Sequence, residues 1–96
     1  MNILVTCAHG TGTGPIMKTK VEQVLKEFNI PFDEINYCSI AEARSLVAEY
    51  DVIFCASSFT NVFKNNVPAH TIIIGMNNIL SQEEIRQRLK ESSLYN

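Results

Sequence analysis

Strand-like and helix-like segments alternate along nearly the whole sequence. The strand-like segments are short, apolar and rich in β-branched residues, and they cover Asn2–Thr6, Phe32–Cys38, Asp51–Ala56 and Thr71–Ile74. Strands that alternate with helices reach their neighbours through helical crossovers, which favours parallel pairing. We therefore predict an α/β fold with a four-stranded parallel sheet of order 2-1-3-4 and helices on both faces.

The first two helices are predicted from apolar spacing and from proline. Helix one should begin at Pro15, because proline is favoured at the first helical position, and Pro31 should stop the segment. Its apolar residues fall on one face and are Met17, Val21, Val24, Leu25 and Phe28. The second helix is predicted over Ile40–Ala48, while Ser57–Pro68 is predicted to be polar and irregular.

The last helix has a clear start signal. Ser81 and Glu84 form the Ser-x-x-Glu pattern of a capping box, and Leu80 and Ile85 are placed for a hydrophobic staple. Ile85 and Leu89 should face the core.

Composition limits the function classes. A chain of 96 residues predicts a single domain over residues 1–96, and 46% apolar with 19% charged residues argues against disorder. A net charge of −2 lacks the basic excess of nucleic-acid binders, so no nucleic acid is expected as partner. We see neither a membrane-spanning apolar run nor a secretion signal, and we expect a cytoplasmic protein without direct membrane insertion.

The three cysteines do not form a Cys-x-x-Cys pair, so we expect reduced thiols. Cys38 and Cys55 are predicted core residues, because an unoxidised cysteine in an apolar strand behaves as a small hydrophobe. Cys7 is different, since it stands at the carboxyl end of the first strand. In this sheet order, the strand order reverses between strands 1 and 3, where such folds bind ligands.

The loop after Cys7 has the composition of an anion site. Its residues are Ala8, His9, Gly10, Thr11, Gly12, Thr13 and Gly14. Small residues allow backbone N–H groups to converge on an oxyanion, and a following helix N-terminus adds positive partial charge. The same field favours a thiolate, so Cys7 is the predicted nucleophile and the loop residues are the predicted phosphate-binding groups.

Several Cys-loop chemistries fit the loop poorly. A tyrosine phosphatase would have Arg six residues after the cysteine, where Thr13 stands, and the nearest cations are Lys18 and Lys20. The Gly-Lys-[Ser/Thr] end of a P-loop is missing. No metal is implied, because the loop has no carboxylate pair and the His/Cys spacing is wrong for zinc. A thiol that accepts a phosphoryl group and hands it on fits best.

The stretches Ile3–Gly14 and Met17–Leu25 resemble the enzyme IIB component of the bacterial phosphoenolpyruvate-dependent sugar phosphotransferase system. The resemblance is closest to the galactitol type, with the ascorbate type next, and it extends through Asp51–Ile53 and Ile74–Asn78 to Ser81. Three departures from the family pattern are Ala8 in place of the usual glycine, the large His9, and Gly14-Pro15 where Ser/Thr residues are usual.

The resemblance implies that Cys7 takes a phosphoryl group from a phosphohistidine on a IIA partner. It would then donate this group to a carbohydrate held by the membrane component IIC, galactitol or a related polyol or sugar, without a cofactor. Two alternatives stay open. One is a stand-alone Cys-loop phosphatase or arsenate-reductase-like enzyme, and the other is a non-catalytic module that binds an anion or a partner.

Other residues carry two interpretations each. His9 could stabilise the thiolate or lie at the surface, and His70 is expected to be structural or exposed. Ser57, Ser58 and Thr60 follow strand 3, on the same rim as Cys7, and could bind phosphate or a partner. The apolar residues of this segment could mark a docking surface or pack beneath it, and they are Phe59, Val62 and Phe63.

Overall fold

The computed structural model describes residues 1–7, 13–64, 67–78 and 80–92, without the side chains of Cys7, Thr13, Gly14 and Lys64. Strands and helices alternate along the chain. Their order is β1 (Asn2–Cys7), α1 (Thr13–Glu27), β2 (Glu34–Ser39), α2 (Ile40–Leu46), β3 (Val52–Ala56), α3 (Thr60–Lys64), β4 (Ile72–Met76) and α4 (Gln82–Glu91). Short 3-10 turns follow α2 at Val47–Glu49 and β3 at Ser57–Phe59.

The four strands form one parallel sheet of order β2-β1-β3-β4. Leu4 of β1 pairs with Asn36 of β2 on one side and with Ile53 of β3 on the other. Ala56, the last residue of β3, pairs with Met76, the last residue of β4. The predicted fold class and strand order are therefore confirmed.

Two apolar layers cover the two faces of the sheet. Because successive strand residues point to opposite faces, Ile3 and Val5 pack with α1 and α4, whereas Leu4 packs on the other side. The first layer includes Met17, Val21, Leu25, Met76, Ile85 and Leu89. The second layer includes Ala43 of α2, Ile53, Cys55 and Phe63 of α3. Helices on both faces are confirmed, and Val52 to Cys55 of β3 are buried without interruption.

Helix α1 begins at Thr13, two residues before the predicted start at Pro15. The first four N–H groups of a helix have no partner inside the helix, so a proline anywhere in the first turn costs no hydrogen bond. Proline therefore marks the first turn and not the first residue. Thr19 lies in the next turn, and its hydroxyl donates to the Pro15 carbonyl at 3.0 Å.

Two strand boundaries differ from the prediction by two residues, and the others by one at most. β2 starts at Glu34 instead of Phe32, because its pairing with β1 begins at Asn2, whereas Phe32 packs against the core ahead of the paired region. β4 continues beyond Ile74 to Met76, since its pairing with β3 does not stop at Gly75. A glycine ends the apolar pattern in the sequence without ending the hydrogen-bonded ladder.

The segment after β3 is more ordered than predicted. Part of it is a 3-10 turn followed by helix α3, because Phe63 is fully buried against the second layer and Val62 packs there as well. The packing interpretation of these two residues is confirmed, and the irregular prediction is wrong for Ser57–Lys64. Phe59 is half-buried.

Candidate functional site

Cys7 is the last residue of β1, at the carboxyl edge of the sheet, where its Cα pairs with that of Ser39. β1 has β2 on one side and β3 on the other, so the order reverses beside Cys7, as predicted. The predicted loop residues Ala8, His9, Gly10, Thr11 and Gly12 lie outside the described residues. Thr13 and Gly14 are the first residues of α1, so a helix N-terminus follows the loop.

Serine and asparagine residues end or follow the other three strands at this edge. Ser39 at the end of β2 caps α2, because its Oγ accepts the N–H of Glu42 at 3.2 Å. Ser57 follows β3, and its hydroxyl donates to Asn77 Oδ1 after β4 at 3.1 Å. The structure thus brings Ser57 to the predicted rim and joins it to a residue that sequence analysis did not single out.

Thr60 and Gly75 hold the segment after β3 against β4. The Thr60 hydroxyl donates to the Ser57 carbonyl at 3.0 Å. A Cβ atom added at Gly75 would lie 2.7 Å from Thr60 Cγ2 and 3.3 Å from Ser57 Cα. Only a glycine permits this approach, so Thr60 contributes to the rim by packing as well as by its hydrogen bond. Ser58 is exposed beside it.

Thr6 stabilises the sheet directly before Cys7. It is fully buried, and its hydroxyl donates to the Phe54 carbonyl of β3 at 2.9 Å. A buried hydroxyl requires a partner, and here the partner joins the two central strands. Sequence analysis missed this role, although a threonine within an apolar strand was the available signal.

Glu84 has a different role from the one that the capping box predicts. Ser81 Oγ accepts the Glu84 N–H at 3.1 Å, so this half of the capping box is confirmed. The Glu84 carboxylate instead accepts the N–H groups of Asn77 and Asn78, each at 2.7 Å. The chain after β4 is thereby tied to the first turn of α4. Leu80, the outer residue of the predicted staple, is 36% exposed.

Electrostatics around Glu84 favour its ionised form. Burial is the largest single influence and opposes the charge, but the backbone hydrogen bonds from Asn77 and Asn78 outweigh it together with Arg88, whose Nε lies 3.3 Å from the carboxylate. The pKa of Glu84 is therefore below its ordinary value. The Glu84 side chain is 14% exposed.

The other two cysteines are structural. Cys38 and Cys55 are both buried in the second layer, as predicted. Burial raises the pKa of the Cys55 thiol to about 11, so it stays protonated at neutral pH and is a poor nucleophile. The predicted core position of Met17 is also confirmed, since it is fully buried.

His70 lies at the opposite edge of the sheet from Cys7. It is exposed, and its Nε2 is 4.0 Å from Asp51 Oδ1, just before β3. This agrees with the surface interpretation. The parts of the chain that the structure describes contain no group of three His, Cys, Asp or Glu side chains that could hold a metal ion. In the same residues, no helix is long and apolar enough to cross a membrane.

A shallow groove of about 430 Å³ runs beside the first turns of α1. Its lining is Pro15, Ile16, Thr19, Lys20, Gln23 and Gln82. Ile16 is 50% exposed there. Pro15, one of the lining residues, directly follows Gly14 of the predicted loop in the sequence.

A parallel α/β sheet with a cysteine at its switch point, ahead of a helix N-terminus, defines a class of small domains suited to anion chemistry at a thiol. Residues 2–91 match the family described as "PTS system, Lactose/Cellobiose specific IIB subunit". The chain therefore belongs to the IIB family of the sugar phosphotransferase system, whose members are components of phosphoryl transfer to sugars.

Relatives extend over almost the whole chain. An "Ascorbate-specific PTS system EIIB component" from Mycoplasma pneumoniae is 28% identical over 95% of this chain and 93% of its own length. Proteins of the same description from Salmonella choleraesuis and Escherichia coli O157:H7 are 30% identical over 95% of this chain and 87% of theirs. The family resemblance is thus confirmed, whereas its galactitol branch is not among these relatives.

Proposed function

We propose that this protein is a cytoplasmic phosphoryl carrier, a single domain over residues 1–96, with Cys7 as the phosphorylated residue. The Cys7 thiolate attacks the phosphorus of a phosphohistidine on a IIA partner. An S–P bond forms as the N–P bond breaks, and the electron pair returns to the imidazole nitrogen. A carbohydrate hydroxyl bound by the membrane component IIC then attacks the same phosphorus, loses its proton to a base, and releases the thiolate.

The position of Cys7 is the observation that carries this proposal. It ends a central strand at the switch point, and α1 begins six residues later at Thr13. Phosphoryl transfer depends mainly on positioning and charge stabilisation, so a small site at the rim of a sheet suffices. The loop from Ala8 to Gly14 would bind the phosphoryl oxygens through its backbone N–H groups. No cofactor takes part in this reaction.

The carbohydrate branch is the finer part of the proposal. The sequence motifs along the chain resemble the galactitol type most closely, whereas the relatives above are described as ascorbate-specific. Alignment of 28–30% identity over nearly the full length of both chains weighs more than similarity of motifs, so we propose an ascorbate-type IIA as the first donor to test. A galactitol-type IIA is the second.

The test is the intact mass after incubation with phosphoenolpyruvate, the general phosphotransferase proteins and each IIA in turn. We expect one added phosphoryl group in the native sequence and none in Cys7→Ser. Cys38→Ala is the matched control, because Cys38 lies on the neighbouring strand and pairs with Thr6, the residue before Cys7. It should be phosphorylated as fully as the native sequence.

Other results would contradict the proposal. Phosphorylation that persists in Cys7→Ser would assign another residue. If both IIA proteins are phosphorylated and the chain gains no mass, the carrier function fails and the non-catalytic interpretation is favoured. Rapid turnover of an aryl phosphate that depends on Cys7 would favour the phosphatase-like alternative.

A further inference from the structure

A hydrogen-bond network connects α4 to the rim beside Cys7. The Glu84 carboxylate accepts the backbone N–H groups of Asn77 and Asn78, each at 2.7 Å. The Asn77 side chain in turn accepts the Ser57 hydroxyl at 3.1 Å. Three separate segments, after β3, after β4 and in the first turn of α4, are thereby fixed relative to one another.

Ser57 is the residue of this network that lies at the carboxyl edge of the sheet, where β1 ends at Cys7. Val5 pairs with Phe54, and both Cys7 and Ala56 lie two residues further along their strands. Ser57 is the next residue after Ala56, and neighbouring strands are about 4.8 Å apart. Ser57 therefore directly follows β3, the strand next to that of Cys7 on the side away from β2. A protein that delivers a phosphoryl group to Cys7 has to approach over this rim.

The direction of the hydrogen bonds decides what the network can do. The Ser57 hydroxyl donates its hydrogen bond to Asn77 Oδ1. With the hydroxyl in this orientation, the Ser57 oxygen presents only lone pairs to its surroundings. Phosphoryl oxygens are acceptors, and they gain nothing from such a group. This argues against Ser57 as a phosphate ligand and favours a fixed polar surface that a donor protein contacts.

We propose that Glu84 is a positioning residue for phosphoryl transfer, which through Asn77 holds Ser57 in the orientation that the phosphohistidine donor protein binds. This inference rests on the proposed function, since it requires Cys7 to be phosphorylated by a partner. Glu84 binds the chain after β4, which is two strands or roughly 10 Å away from β1, so it does not touch the reacting atoms. Its effect is on the encounter with the donor and not on the chemical step.

The test compares Glu84→Gln with Glu83→Gln in steady-state transfer from phosphorylated IIA. Glutamine keeps the shape of glutamate, but its amide NH₂ faces an N–H donor where the second carboxylate oxygen accepted one. Glu83 is the matched control, because it loses the same charge from the same helical turn and pairs only with Arg86, at 3.4 Å, among the contacts described. Both variants are assayed well below their unfolding temperatures.

We expect Glu84→Gln to raise KM for the phosphorylated donor roughly five- to tenfold, the size of one lost hydrogen bond. The rate at saturating donor should stay unchanged, as should both parameters in Glu83→Gln. Ser57→Ala should raise KM similarly, and the double variant should be no worse than either single one, because both act through the same contact.

Three outcomes would overturn the inference. A fall in the saturating rate at constant KM would indicate loss of folded protein, and so a purely structural role. If Glu84→Gln and Glu83→Gln have the same KM and the same saturating rate, Glu84 has no positioning role, and the carrier function is unaffected by that result. If the native chain accepts no phosphoryl group from any IIA, the carrier function fails, and the positioning role fails with it.

Discussion

Two cysteines of this chain, Cys55 and Cys7, lie in different environments, and the environment of a thiol decides its reactivity. Cys55 is fully enclosed in the second layer, and burial raises its pKa to about 11. Cys7 instead ends β1 at the edge where ligands bind in such sheets. The proposed carrier therefore needs no special protection of Cys55 from side reactions, because its thiolate is scarce at physiological pH.

This difference predicts a labelling pattern. In native protein at neutral pH, iodoacetamide should alkylate Cys7 and leave Cys55 unmodified, and addition of urea above the unfolding midpoint should expose Cys55. Peptide mass mapping at successive times measures both rates. Alkylation of Cys55 in the native protein as fast as in urea would show that the second layer opens freely.

Gly75 has little room for a larger residue. In Gly75→Ala, the new Cβ would meet Thr60 Cγ2 at 2.7 Å and the Ser57 backbone at 3.3 Å. We expect a loss of about 1–3 kcal/mol in the free energy of unfolding, measured with urea. Adding Thr60→Ser removes the closer atom and should restore part of the loss. Native stability in Gly75→Ala would contradict the close approach.

At the scale of elements, sequence patterns predicted helices and strands well where burial repeats regularly. The apolar face of α1, from Met17 to Leu25, is buried as its spacing predicts. The failures have local causes: Pro15 lies within the first turn of α1 instead of starting it, and Gly75 interrupts an apolar run without interrupting pairing. α3 was missed because it is only five residues long, and its residues other than Val62 and Phe63 are polar.

The candidate site was predictable in the same uneven way. The end of β1 at Cys7 follows from a strand pattern followed by glycines. The contacts of Glu84 do not, because its partners Asn77 and Asn78 are set by how β4 and α4 meet in three dimensions. A sequence motif identifies a residue that can accept hydrogen bonds, but tertiary packing decides from which groups it accepts them.

The β4–α4 connection should depend on pH through Glu84. The pKa of Glu84 is lowered in the folded state from an ordinary value of 4.5. The stability that its ionised carboxylate contributes is therefore complete above about pH 4.5 and is lost as pH falls through the folded-state pKa. The difference in unfolding free energy between the native sequence and Glu84→Gln should therefore be constant near pH 7 and shrink below pH 4.5. Urea unfolding between pH 7 and pH 3 measures it. A difference that grows on acidification would contradict the assignment.

At the scale of the whole molecule, the edge of the sheet where the strands begin and the edge where they end have different functions. The amino edge carries Asp51, whose carboxylate accepts the Asn2 N–H at 2.7 Å and faces His70. The carboxyl edge carries Cys7 and Ser57. Strands of this length span roughly 15–20 Å, so the amino edge is too far away to touch a group at Cys7.

This separation predicts that Asp51→Ala lowers stability and spares transfer. The lost hydrogen bond joins β1 to the start of β3 at a half-exposed position, so we expect a loss of about 1 kcal/mol in urea unfolding. KM and the saturating rate of phosphoryl transfer should equal the native values at temperatures where the variant is folded. A changed KM would show that the amino edge communicates with the site.

The central place of β1 has a consequence for how this protein is made. β1 is synthesised before both of its partners, and one of them, β3, lies about half the chain length later, with Leu4 opposite Ile53. A nascent chain that stops short of Ala56 leaves one side of β1 with its backbone groups unpaired, and contacts so distant in sequence form slowly. Until synthesis has passed β3, this side of β1 can therefore pair with the strand of another chain.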